Sequence, residues 1–208
     1  MTLARGLLIP PKSEGEARFH DKRAAIFLDR DGVIIENRES YVTHWGDVSF
    51  IPHAFDALRR MAASSLAIVL VTNQSAVARG LITIDEAVDL NRQVIEAVQR
   101  EGGRIDAWYL CPHGPRDGCE CRKPAPGMLL QAGAQLHLDL PSCWMVGDAV
   151  TDVMAAEAAS VRPILVRTGR GDSQLRQFPQ ELPATAPIAP DLLAAADLIF
   201  QTRKARTS

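Results

Sequence analysis

The chain has no surplus of positive charge. Its 23 Lys and Arg stand against 25 Asp and Glu, a net charge of −2, so it offers no broad basic surface to nucleic acid or to an anionic membrane. It has no apolar run approaching the ~20 residues that cross a bilayer. The start, Met1 to Pro11, carries a Leu7-Leu8-Ile9 patch that two prolines cut short, too little for the core of a secretory signal. Cysteine is sparse as well: three of the four lie between Cys111 and Cys121, and the fourth, Cys143, opens an apolar stretch. Clustering of that kind in a reducing compartment points to a metal rather than to disulfides. These absences lead us to expect a cytoplasmic, membrane-free protein. With 47% hydrophobic and 23% charged residues in 208, the composition is that of one globular core. We expect a flexible tail over 1–20, one domain over 21–200 and a basic tail over 201–208.

What is present is organised around Ala24-Ala25-Ile26-Phe27-Leu28-Asp29-Arg30-Asp31-Gly32-Val33. An unbroken apolar run ending in acids reads as a strand buried on both faces of a parallel sheet. Side chains alternate along a strand, so Asp29 and Asp31 leave its end on the same side. Gly32 then allows a sharp turn. Two carboxylates so close repel each other and lose solvation. A hard divalent cation such as Mg²⁺ relieves both costs.

Further along, residues 34–50 lack a period and read as a long functional loop containing Asn37, Arg38, Tyr41, His44 and Trp45. Pro52 to Ala63 has helical spacing. Leu66 to Val71 is a second buried strand, ending in Thr72-Asn73-Gln74-Ser75. Thr83 and Glu86 form a capping box for a helix reaching Arg100. Ile105 to Leu110 is a third strand, followed by a Cys, His, Gly and Pro loop over 111–126. A helix over Gly127 to His137 precedes a fourth strand over Ser142 to Val146, which ends in Gly147-Asp148. A short helix over 150–159, a fifth strand over 162–166, an irregular stretch over 169–187 and a last helix over 190–200 complete the chain. Alternating strands and helices predict an α/β, Rossmann-like parallel sheet with helices on both faces. Such sheets bind ligands beyond the carboxyl ends of their strands. Three strand ends carry reactive groups: Asp29 with Asp31, Thr72 with Asn73, and Asp148. The gaps after Gly32 and after Thr72 are filled by ordinary elements and leave no space for a separate cap domain.

Cys111-x-His113-x₅-Cys119-x-Cys121 is a second constellation. Three thiols and an imidazole at this spacing match a tetrahedral, fully protein-ligated and therefore structural Zn²⁺ site. It would stiffen a loop that has no core of its own and set Arg122 and Lys123 directly after it.

The combination of D-x-D-G-V, a strand ending in T-N, Lys123 and G-D-x-x-x-D resembles the haloacid dehalogenase superfamily of phosphohydrolases. More narrowly, Leu28-Asp29-Arg30-Asp31-Gly32, Thr72-Asn73-Gln74-Ser75, Cys111-Pro112-His113, Cys121-Arg122-Lys123-Pro124 and Pro126-Gly127-Met128 look like the D-glycero-D-manno-heptose 1,7-bisphosphate phosphatases, with the histidinol-phosphate phosphatases as near relatives. The resemblance covers roughly residues 24–170 and implies a capless phosphatase for a small phosphorylated metabolite, working as a monomer or weak homo-oligomer. It implies Asp29 as nucleophile, Asp31 as general acid and base, and Thr72 and Lys123 as phosphoryl-stabilising groups. It also implies Mg²⁺ on Asp29, Asp148 and the main-chain carbonyl of Asp31. Asp152 either orients Lys123 or a metal-bound water, or is simply an acid favoured at a helix N-terminus. Asn73, Gln74, Ser75, Arg122, Arg38 and Tyr41 are the candidate substrate contacts. One departure stands out. The heptose enzymes commonly have Lys directly after the G-D pair, where this chain has Ala149. Two other readings remain open: a histidinol-phosphate or other small-metabolite phosphatase, and a metal-stapled binding module without catalysis.

Overall fold

A computed structural model describes residues 7–9, 23–183 and 186–207. The strands are β1 (Leu7–Ile9), β2 (Ala25–Leu28), β3 (Ala67–Asn73), β4 (Ala107–Cys111), β5 (Trp144–Gly147), β6 (Arg162–Val166) and β7 (Ile188–Ala189). They form one sheet in the order β1-β4-β3-β2-β5-β6-β7, parallel throughout except for β1, which runs antiparallel to β4. The helices are α1 (Ala54–Ala62), α2 (Ser75–Ala78), α3 (Ile84–Arg100), α4 (Gly127–Gln135), α5 (Val150–Ala158), α6 (Gly171–Gln177) and α7 (Leu192–Thr207).

The central strands are apolar because neither of their faces sees water. Ala25, Ile26, Phe27 and Leu28 of β2 are all fully buried. Alternation sends Ile26 and Leu28 into the layer beneath α1, α3 and α7. Ala25 and Phe27 point into the opposite layer, with Met128, Leu129 and Ala132 of α4. Cys143 belongs to this second layer. Its Sγ accepts from the Ala25 N–H at 3.2 Å, and it is not part of the thiol and imidazole group at 111–121. At the start of α3 the Thr83–Glu86 capping box forms as the sequence predicts. Among the described residues no helix is long and apolar enough to cross a membrane.

Besides the short α2 and β7, which the sequence reading did not include, three stretches differ from expectation. The segment read as a loose tail over 1–20 contains β1, whose Leu7-Leu8-Ile9 run covers an open sheet edge by pairing with β4; residues 1–6 and 10–20 of that segment lie outside the described residues. The basic segment at 201–208 is not a separate tail, because α7 continues through it to Thr207. Between 169 and 187, expected to be irregular, the chain forms α6 and a turn of 3₁₀ helix at Pro179–Glu181. The α6 sequence is too polar for its apolar spacing to announce a helix. Between Gly32 and β3 lie only the loop, a 3₁₀ turn at Trp45–Asp47 and α1, so the segment that follows Gly32 builds no cap domain.

This topology fixes the position of the cleft. From β2 the chain adds β3 and β4 on one side, then returns to add β5, β6 and β7 on the other. The direction of winding reverses between β2 and β5, and the loops leaving their carboxyl ends diverge there to open a crevice. Those two ends carry Asp29 and Asp148.

Candidate active site

Asp29 follows the last residue of β2. Its main chain donates to the Val146 carbonyl at 3.0 Å, so the sheet ladder itself positions it. The carboxylate is buried and lies 3.0 Å from Lys123 Nζ. Lys123 comes from the loop after β4 and is 2.6 Å from Asp152, a residue of the first turn of α5. Its ammonium also donates to the Val71 carbonyl at 2.9 Å. The Asn73 side chain clamps the Lys123 backbone at both ends, donating to its carbonyl at 3.1 Å and accepting from its N–H at 3.2 Å. Asp152 in turn accepts from the Ala149 N–H at 3.1 Å. Asp152 therefore does both things open to it: it caps α5 and it fixes Lys123.

Asp148 leaves β5 fully buried. It accepts from Asn37 Nδ2 at 2.5 Å and from the Arg170 N–H at 2.8 Å. The Arg170 guanidinium leans on it more distantly, with both contacts at 3.4 Å. Carboxylate oxygens of Asp29, Asp148 and Asp152 all lie within 4.8 Å of one another. Three buried acids thus face one buried ammonium and one half-exposed guanidinium. Burial raises Asp29 to about 6, against the pull of Lys123, and Asp152 and Asp31 push it further up. Burial also raises Asp148, opposed by Arg170. Burial alone would lower Lys123, but Asp152 and Asp29 outweigh it and hold the ammonium charged. A surplus of buried carboxylate oxygens beside a cleft is the donor set of a hard divalent cation.

The Asp31 carboxylate stands outside this group. It is held by the Arg30 fork, with Nε and Nη2 each at 3.2 Å, and by Gln74 Nε2 at 2.9 Å. Its expected share in the metal site was the main-chain carbonyl, which those contacts leave unengaged. Gln74 also donates to the Thr72 hydroxyl at 2.8 Å. Thr72 is fully buried beneath the cleft floor rather than on its lining.

The cleft has a volume of about 390 Å³, within the usual span for a small-molecule site. Asp29, Asp31 and Lys123 form its base, and the candidate contacts Asn73, Gln74, Ser75, Arg122, Arg38 and Tyr41 all reach its wall. Arg122 is braced by Ser75 Oγ at 2.7 Å and by the His113 carbonyl at 3.0 Å. Tyr41 has a φ of +69°, costly for a non-glycine residue, and the Arg79 guanidinium stacks on its ring. His44 and Trp45 stay off the lining; His44 pairs with Asp47 instead.

Sequence reasoning did not single out three contributors. Asn37 was noticed only as part of a loop, Arg170 lay in a stretch read as irregular, and Arg30, between the two acids, was given no role. Arg30 is a buried arginine whose charge is met by Asp31. Its only signal in the sequence was an arginine set between two acids at the end of a buried strand, since arginine is seldom buried without a partner.

In the loop after β4, the Cys111, His113, Cys119 and Cys121 ligand atoms all lie within 4.8 Å of one another. Cys111–Cys121 is 3.3 Å, Cys121–Cys119 3.5 Å, Cys111–Cys119 3.7 Å and His113 Nδ1–Cys121 3.3 Å. A tetrahedron with metal–sulfur bonds of about 2.3 Å has edges of about 3.8 Å, so the four atoms already stand close to the corners of a Zn²⁺ site. The hydrogen bond between the Cys111 and Cys121 sulfurs draws Cys121 down to about 5 and pushes Cys111 up.

A family model described as HAD-hydrolase-like matches residues 120–195. The chain is 37% identical to D-glycero-beta-D-manno-heptose-1,7-bisphosphate 7-phosphatase of Pseudomonas aeruginosa, over 86% of this chain and 99% of that one. It is 38% identical to the Escherichia coli K12 protein of the same name, over 86% and 88%. Among solved structures, D,D-heptose 1,7-bisphosphate phosphatase of B. bronchiseptica, complexed with magnesium and phosphate, superposes with a TM-score of 0.81 at 36% identity, covering 86% of this chain and 99% of that one. With relatives this similar matched over nearly their whole length, the chain belongs to the D-glycero-D-manno-heptose 1,7-bisphosphate phosphatase family of haloacid dehalogenase-like hydrolases.

Proposed function

We propose that this phosphatase removes the 7-phosphate of D-glycero-D-manno-heptose 1,7-bisphosphate through an aspartyl-phosphate on Asp29. The observation that carries the reading is the meeting of Asp29, Lys123 and Asp148 at the switch point of the sheet, in a chain whose relatives bear that activity in their names.

The chemistry runs as two displacements at phosphorus. An Asp29 oxygen attacks, and the bond to the sugar oxygen breaks as Asp31 gives that oxygen a proton. Asp31 then takes a proton from water, which attacks the same phosphorus and frees Asp29 and inorganic phosphate. Lys123, held by Asp29, Asp152 and the Val71 carbonyl, meets the charge on the phosphoryl oxygens without having to reorganise. Thr72 acts beneath it through Gln74, which also steadies Asp31. Mg²⁺ on Asp29, Asp148 and the Asp31 carbonyl would supply the charge that lets an anionic nucleophile approach an anionic phosphate. Zn²⁺ on Cys111, His113, Cys119 and Cys121 would keep the loop in shape and hold Arg122 and Lys123 in register. The free thiols agree with a reducing, cytoplasmic setting. A cleft complete within one chain is consistent with a monomer or a weak homo-oligomer.

The unreacting 1-phosphate calls for a cation, and Arg122 on the cleft wall offers a forked one. The test is release of phosphate from heptose 1,7-bisphosphate and from histidinol phosphate, with and without Mg²⁺. We expect higher kcat/KM for the bisphosphate, and Arg122→Ala to weaken the bisphosphate far more than a monophosphate. Better turnover of histidinol phosphate would overturn the substrate assignment.

A further inference from the structure

Arg170 is a cation of the cleft that no motif accounts for. It sits in the turn between β6 and α6, on the β5 side of the nucleophile, across the cleft from Arg122. Its backbone and its side chain behave differently toward Asp148. The N–H makes the short bond, at 2.8 Å, whereas the guanidinium reaches the same carboxylate only at 3.4 Å through each of two nitrogens. Contacts at 3.4 Å are at the weak end of hydrogen bonding. The Arg170 side chain is 54% exposed and lines the cleft, while Asp148 is fully buried. Asp148 thus keeps its position through the Arg170 main chain and Asn37, and the guanidinium is not needed to hold it.

Other cleft cations are more firmly engaged. Lys123 is buried between two carboxylates. Arg122 is braced by Ser75 and His113. Arg38 donates to the Asp47 carbonyl at 3.0 Å. The residue after Asp148 is Ala149, which brings no charge.

A divalent cation on Asp148 would repel a guanidinium 3.4 Å from the same oxygens. The anion then within reach is the phosphoryl group bound over Asp29. We propose that Arg170 is a substrate-binding residue: it neutralises Asp148 while no metal is bound, is displaced when the metal arrives, and then grips the oxygens of the reacting phosphoryl group. This rests on the phosphatase reading above.

The test is calorimetric titration of inorganic phosphate into the Mg²⁺-loaded full-length protein, comparing wild type, Arg170→Gln and Arg170→Lys, alongside Mg²⁺ titrations without phosphate. The expected result is phosphate binding about tenfold weaker in Arg170→Gln, part of it recovered in Arg170→Lys, with Mg²⁺ affinity equal to wild type or tighter because a competing cation is gone. Undiminished phosphate affinity in Arg170→Gln would overturn the assignment. So would a fall in Mg²⁺ affinity matching the loss for phosphate, because Arg170 would then only support Asp148. Wild-type protein that binds Mg²⁺ but no phosphate would overturn the phosphatase reading itself.

Discussion

Lys123 Nζ lies 3.0 Å from the Asp29 carboxylate, with both groups buried. An ion pair taken out of water gains little net stability, because desolvation offsets most of the attraction. Its value lies in orientation: Asp152 on the far side and the Val71 carbonyl leave the ammonium nowhere else to go. Removing one partner therefore has separate consequences for chemistry and for folding.

Asp29→Asn keeps the shape but removes the attacking anion. Turnover is expected to fall at least about 10³-fold, equivalent to ~4 kcal/mol of barrier. The fold should hold, since Asp152 still meets Lys123. A variant that releases phosphate at near-normal rate would sink the covalent route.

The pH dependence of the metal-free protein should run opposite to that of an ordinary salt-bridged acid. Burial raises Asp29 from its usual 3.8 to about 6, so between those values the folded state binds more protons than the unfolded one. Stability then falls as pH rises through that window. Mg²⁺ needs the ionised acid, so its affinity should weaken as pH drops below about 6. Thermal melts with and without Mg²⁺ across this range check both signs; a metal-induced stabilisation that does not change with pH would contradict them.

Cys119→Ser removes one corner of the thiol and imidazole cluster. About one zinc per chain is expected by elemental analysis of the wild type. The variant should hold less, melt earlier and lose activity through a misplaced Arg122 and Lys123. Zinc-free wild-type protein with full activity and unchanged melting would rule out the structural role.

Gly32 has φ +86°, and a Cβ there would lie 2.0 Å from Asp148 Oδ2; one on Gly169 would lie 2.4 Å from the same atom. Both turns are glycine because Asp148 occupies the space that a side chain would need. Gly32→Ala should push Asp148 aside, so Mg²⁺ affinity should fall more than tenfold, in addition to the cost of about 1–2 kcal/mol in stability from backbone strain. Unchanged Mg²⁺ affinity, read by calorimetry, would show that the acid adjusts freely.

The sequence by itself determined the five central parallel strands, their alternation with helices, and the ends that carry acids. An apolar run such as Ala25–Leu28 is burial written locally, and a capping box such as Thr83–Glu86 is a short-range hydrogen-bond pattern. The four metal-capable residues at 111–121 were legible for the same reason, since they lie close in the chain. Tertiary structure decided what depends on distance through space. Asn37 and Arg170 reach Asp148 from 111 and 22 residues away, and no periodicity marks either residue. Leu7–Ile9 became a strand only because β4 left an edge for it, and α6 formed in a stretch too polar to show it. No periodicity marks Arg30 either; its burial in the folded chain leaves Asp31 to balance its charge.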